Sequence, residues 1–184
     1  MSQFPSVPRN GSVDAENWTS AVDYVNRVNW LFETYDLEGM IGSFLPDARV
    51  YHFHGSLNGE GDIRRFLTDD YPYLIPGVSR NATNHVVDRD EDGVAVRYQN
   101  VLIRHAWPQQ AVGLQAGQVL ESDSLPAIWL YSPMLDRLRL TDDGWKIAER
   151  YIGGSMMNKQ LSLPDTARTA VEGFLPAPGT PLSI

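Results

Sequence analysis

With no cysteine in the 184-residue sequence, histidine is the side chain that titrates nearest neutral pH, and it occurs four times: His52, His54, His85 and His105. A group with a pKa in that range can both take and return a proton, so these four are the first candidates for acid–base chemistry. His85 ends the run Asn81-Ala82-Thr83-Asn84-His85, and a carboxylate that could orient it stands at Asp36, directly after Tyr35. Asp36 closes an apolar helical pattern. A negative charge there meets the negative end of the helix dipole, at a cost of a few tenths to about 1 kcal/mol. In an Asp36–His85 pair the carboxylate would accept a hydrogen bond from one ring nitrogen and fix the tautomer. The other nitrogen would take a proton from a carbon next to a carbonyl or a leaving group. Such a reaction needs no metal and no redox cofactor. Each residue also has a structural alternative. Asp36 could cap a second helix, and His85 and His105 sit among apolar strand residues where a satisfied structural histidine is common.

His52 and His54 share one face of a strand, at the two-residue spacing found in metal sites, and Glu60 follows six residues later. No second histidine motif of that kind appears downstream, and no metal is assigned. Phosphate loops, nucleophile elbows and Walker motifs are also missing from the sequence.

Composition narrows the partners. The lack of cysteine removes disulfides, thiolate nucleophiles and cysteine-based zinc sites. Fifteen Lys and Arg against 23 Asp and Glu give a formal charge of −8, without a basic cluster, so neither nucleic acid nor a membrane surface is the expected partner. A small-molecule substrate is. No apolar run is long enough to cross a membrane. Met1 to Asp14 lacks the basic start and apolar core of a signal peptide, which leads us to expect a cytoplasmic protein.

The elements that must position these residues are legible from periodicity. Residues 1–14 read as an arm, 15–157 as one domain and 158–184 as a proline-containing tail. Asp14 is a candidate N-cap, followed by a helical face of Trp18, Ala21, Val22, Val25, Phe32 and Tyr35. A short helix over residues 37–44 precedes Pro46, a strand spans 48–54, a turn 55–61 and a third helix 62–70. Strands follow over 81–88, 94–107, 125–140 and 145–152. Asp92-Gly93 and Asp143-Gly144 provide two hairpin signals. On the first of these strands, alternation puts Thr83, His85 and Val87 on one face. Helices segregated from a run of antiparallel strands predict an α+β fold.

This order resembles the nuclear-transport-factor-like cone, and in particular its SnoaL-like group, which includes scytalone dehydratase, hexachlorocyclohexane dehydrochlorinase and polyketide cyclases. Four segments carry the resemblance, which covers roughly residues 15–160. Tyr35-Asp36 is similar to a Tyr-Asp pair in scytalone dehydratase. Residues 81–85 resemble the segment holding the catalytic histidine, and residues 101–105, ending in His105, the strand bearing a second one. Asp142-Asp143-Gly144-Trp145-Lys146-Ile147 resembles a hairpin common across the superfamily. Tyr51 stands about one residue from the dehydratase's second tyrosine, and His52 takes the matching face.

The resemblance implies a cone-shaped, mainly antiparallel sheet enclosing a pocket, a homodimer or homotrimer, and a dehydratase-like lyase. An isomerase or cyclase of natural-product biosynthesis would use the same residues, and a non-catalytic binding module the same fold. The expected catalytic set is Asp36, His85, Tyr35, His105 and Tyr51. The expected pocket wall is Trp30, His52, Phe53, Trp107, Trp129, Tyr131, Met134 and Met156.

Overall fold

Asp14 starts the first helix as the sequence predicts: its carboxylate accepts the Asn17 backbone N–H at 2.8 Å, satisfying a donor of the first turn. A computed structural model describes residues 11–52 and 55–163 of the chain. Helix α1 (Ala15–Thr34) buries Ala21, Val25, Val28 and Phe32. Trp18, expected on that face, is 44% exposed. Tyr35 ends α1 in the left-handed region (φ 52°), and α2 (Leu37–Gly42) starts at once with Asp36 as its N-cap.

Strand β1 (Phe44–His52) begins four residues earlier than predicted and contains Pro46, in a stretch where its pairing register shifts. Pro46 therefore does not stop α2. Strand β2 (Gly55–Asn58) takes the place of the predicted turn, α3 (Gly59–Arg65) follows, and a π-helical turn (Phe66–Asp70) completes the third helical region. The long strands are β3 (Val78–Asp90), β4 (Gly93–Arg104), β5 (Ala127–Thr141) and β6 (Gly144–Ile152). Between β4 and β5 a short helix, α4 (Pro108–Gly113), stands in the predicted loop. Strand β7 (Met156–Met157) pairs with β5, and the Asn158 backbone N–H donates to the Trp129 carbonyl at 2.8 Å, so the first residue of the predicted tail is bound to the domain.

The fold is α+β, with a seven-stranded sheet in the order β2-β1-β6-β5-β4-β3 and β7 added beside β5. The pairs are antiparallel except β1 with β6, which run parallel. The sheet does not close on itself. One face packs on α1 through Val50, Val87, Val94, Val96, Tyr98, Met134 and Leu138. A second apolar cluster, built on Val78, Leu102, Trp129, Leu130 and Leu161, fills the other end.

Three bulges decide which side chains point inward. In β3 the register shifts between Thr83 and Val86, and Asn84 adopts φ 53°. In β5 Leu130 pairs with Leu102 and Ile128 with Ile103, so Trp129 is the extra residue. In β6 Glu149 pairs with Arg137 and Ile147 with Leu138, so Ala148 is the extra residue. Each insertion breaks the two-residue alternation and turns the following side chains to the other face.

Candidate active site

A cavity of about 280 Å³ lies between the two apolar clusters. That is close to the lower end of the ~300–1,000 Å³ range of small-molecule sites, which suits a ligand of one or two rings. Its walls come from α1 (Asn29, Phe32), β1 (Phe44, Val50, His52), the π turn (Phe66, Leu67), β5 (Trp129, Ser132, Met134) and β6 (Arg150, Ile152).

Alternation along β1 sends Val50 and His52 into the cavity and Tyr51 to the opposite face. There Tyr51 stacks on Tyr151, with ring centroids 4.5 Å apart. His52 is partly buried, its ring 5.3 Å from that of Phe66. Among the described residues it is the one imidazole in the cavity wall.

The polar groups facing the cavity form an unusual set. Tyr71 is 4% exposed; its buried hydroxyl makes no hydrogen bond of good geometry, although the Arg80 guanidinium lies close enough to act on it. Burial pushes that hydroxyl up to about 12, so it stays protonated through the neutral range. The Arg80 guanidinium lies 5.0 Å from the centre of the Tyr71 ring and 5.8 Å from that of Phe32. Asn100 is 4% exposed; its Nδ2 donates to Met134 Sδ at 3.3 Å, and its Oδ1 is buried without a partner. Arg150, by contrast, is spoken for. Its Nε and Nη2 donate to the two Asp136 oxygens, each at 2.7 Å, and the Tyr98 hydroxyl donates to the same carboxylate at 3.0 Å.

The expected acid–base pair is not assembled. Asp36 accepts the Gly39 backbone N–H at 3.0 Å, and its capping role places it at the start of α2. His85 sits at the β3 bulge with its ring 5.8 Å from that of Tyr98, and its Nε2 is buried without a partner. No hydrogen bond or ion pair joins Asp36 to His85, and neither lines the cavity. The bulge also separates Thr83 from His85 and Val87. Thr83 and Val86 pair with Gln99 and Arg97 on the outer face, whereas Val87 enters the core. Tyr35 donates to the Leu67 carbonyl at 3.1 Å, and His105 follows β4, its backbone N–H bound to the Gly77 carbonyl. Neither reaches the cavity wall.

Of the expected pocket residues, His52, Trp129 and Met134 line the cavity. Phe53 lies outside the described residues, as does His54. Trp30 is 44% exposed on the outer side of α1. Trp107 caps α4 and stacks on Arg104. Tyr131 alternates to the outer face, and Met156 is 76% exposed while its neighbour Met157 reaches the cavity. Among the described residues no group of three or more His, Asp or Glu is placed to hold a metal ion, and Glu60 pairs with Arg64 at 3.3 Å.

Sequence reasoning missed Tyr71, Arg80, Asn100 and Arg150. Asn100 did leave a signal: it is a lone amide in the inward series Val96, Tyr98, Leu102. Tyr71 and Arg80 left none, since one stands in a proline-flanked segment and the other on a strand.

A family model described as the SnoaL-like domain matches residues 15–151. The chain belongs to this family. Solved structures with the same fold include an NTF2-like protein with a cystatin-like fold from Novosphingobium aromaticivorans. It has a TM-score of 0.59 and 14% identity, covering 85% of this chain and 88% of that one. Aln2 from Streptomyces has a TM-score of 0.61 and 15% identity, covering 77% and 92%. A candidate scytalone dehydratase from N. aromaticivorans has a TM-score of 0.56 and 15% identity, covering 76% and 86%. At these identities the likeness is one of fold. No curated protein matches the sequence. Among the described residues, no helix of this SnoaL-like protein is long and apolar enough to cross a membrane.

Proposed function

We propose that the cavity is the active site of a cofactor-independent acid–base enzyme, with His52 as the group that moves the proton. The substrate is small, mostly apolar and bears a carbonyl. The observation that carries this reading is the placement of one imidazole in the wall of a cavity that also presents the unpartnered Tyr71 hydroxyl and the Arg80 guanidinium. Membership of the SnoaL-like family and the candidate dehydratase of the same fold support it.

In the first step His52 takes a proton from the carbon next to the carbonyl. The electron pair of that C–H bond moves to the carbonyl oxygen as an enolate, which accepts a hydrogen bond from Tyr71. Three outcomes share this step. The enolate can reform the carbonyl as a β-hydroxyl leaves, protonated by His52, as water. It can take the proton back at another carbon, which is an isomerisation. It can attack a second carbonyl within the same molecule and close a ring.

Deuterium exchange tests the shared step without knowledge of the product. Small aryl ketones such as tetralones are incubated with the protein in D2O, and the loss of the α-proton signal is followed by NMR. The His52→Gln protein should exchange about 10²-fold or more slowly, as expected when a general base is removed. Equal exchange by the two proteins would overturn the assignment of His52.

A further inference from the structure

The cavity's charge and its unused hydrogen-bonding groups specify its ligand more narrowly. Its described lining contains two guanidinium groups and no carboxylate. Arg150 is neutralised by Asp136, held through two hydrogen bonds. Arg80 is not matched in this way. Among the described residues no carboxylate oxygen reaches ion-pair distance of its guanidinium. Glu33 accepts the backbone N–H of Arg80 at 2.8 Å rather than pairing with its guanidinium. Burial, as the largest influence, pushes the Glu33 carboxyl upward, and the backbone N–H and charge of Arg80 hold it down.

A guanidinium beside an apolar cavity, without its own carboxylate, is matched by an anionic oxygen of the ligand. The two orphaned groups add detail. The Tyr71 hydroxyl can donate, and the buried Asn100 Oδ1 can only accept. A ligand that satisfies all three brings an anion to Arg80, an acceptor oxygen to Tyr71 and a hydroxyl or N–H to Asn100. Its body meets the side chains of Phe32, Phe66 and Trp129, which suit an apolar ring. The overall charge of −8 disfavours anions, so any preference for them must come from the cavity itself.

We propose that the cavity selects an aromatic carboxylic acid carrying a hydroxyl, with its carboxylate on Arg80. This rests on the reading of the cavity as the functional site, but not on His52 acting as a base. Naphthoate and hydroxynaphthoate serve as probes, with naphthamide as the neutral match of the acid, and binding is measured by calorimetry. The acid should bind at least about tenfold more tightly than the amide, the scale of one charge-assisted hydrogen bond. Arg80→Met should abolish that preference, and Asn100→Leu should remove the gain from the ring hydroxyl. Equal binding of acid and amide to the natural protein overturns the proposal, whatever the variants do. So does an undiminished preference in Arg80→Met. His52→Gln separates the two readings, because the preference for acid over amide rests on Arg80 and the exchange rests on His52. Acid selectivity combined with unimpaired deuterium exchange in that variant would sink the assignment of His52 alone. Lost exchange without acid selectivity would sink the ligand class alone.

Discussion

His85 is a polar group held where polarity is costly, and its cost depends on pH. Burial lowers its pKa from the ordinary value of 6.5, and burial followed by the nearby Arg104 charge does the same for His105. A lowered pKa means that the folded state resists taking up the proton that the unfolded chain accepts freely. Each histidine therefore contributes full stability above pH 6.5, and that contribution is lost as the pH falls from 6.5 through the lowered folded value. Glu33 acts with the opposite sign, since its raised pKa favours the fold as the pH falls through its own range. Comparison of variants isolates the histidine. The urea midpoint of His85→Gln should fall less between pH 7 and pH 5 than that of the natural protein. Parallel pH profiles would show that His85 is protonated as easily in the fold as out of it. Tyr71 contrasts with these histidines. Its hydroxyl stays protonated, so an alkaline limb in any rate profile below pH 10 belongs to another group.

At the scale of elements, the bulges decide what the site contains. Trp129 and Leu130 are neighbours, yet both face inward because Trp129 is the inserted residue of β5. Arg150 and Ile152 reach the cavity because Ala148 shifts β6 by one. His85 turns toward Tyr98 because Asn84 occupies the left-handed region at φ 53°. Asparagine tolerates that region and a β-branched residue does not. Asn84→Gly should match the natural protein in urea unfolding, and Asn84→Val should lose about 1–2 kcal/mol. An Asn84→Val protein of full stability would mean that the bulge is not fixed at this residue. These insertions also explain what the sequence could and could not reveal. The β-branched and aromatic runs marked all four long strands, and the Asp14 cap marked the first helix. On a stretch of β1 paired without a break, alternation sends His52 to the cavity and Tyr51 away from it, although both were expected at the site. It failed for Thr83 relative to His85, because one extra residue reverses the faces and leaves no trace in composition. The hairpin glycines were found for incomplete reasons. Gly144 has φ 95°, but a Cβ on Gly93 would stand 2.0 Å from the Leu138 carbonyl oxygen, so that position needs a bare backbone for strand approach.

At the scale of the whole molecule, the cavity is closed at one end by chain that lies far from it in sequence, and a buried charge holds that chain in place. Arg104 is fully buried. Its Nε donates to the Leu161 carbonyl at 2.6 Å and its Nη1 to the Pro76 and Ala106 carbonyls at 3.1 and 3.4 Å. The rings of Trp107 and Trp129 lie on it, at 5.2 and 4.7 Å. No carboxylate offsets the charge among the described residues, and burial alone lowers its pKa to about 10. Carbonyl dipoles and two aromatic faces therefore do what a counter-ion usually does. The Trp129 indole N–H donates to Ser162 Oγ at 3.0 Å, and Ser162 and Leu163 complete the cavity wall. Arg104 thus links β4, the segment before β3 and the chain beyond β7, and through Trp129 it links all three to the site. Arg104→Met keeps most of the apolar stem but strands three buried carbonyls. It should cost about 2–4 kcal/mol, the scale of charged hydrogen bonds lost in a buried setting. The loss should also be local before it is global. Lys159 lies on the strap and is exposed, so trypsin should cut there faster in Arg104→Met than in the natural protein, under conditions where both remain folded. Naphthoate binding should weaken in step with that cleavage, because the wall that opens is the ligand's own. A variant that lost stability without faster cleavage at Lys159 would show that Arg104 supports the core alone and that the strap is held by Trp129 and Ser162.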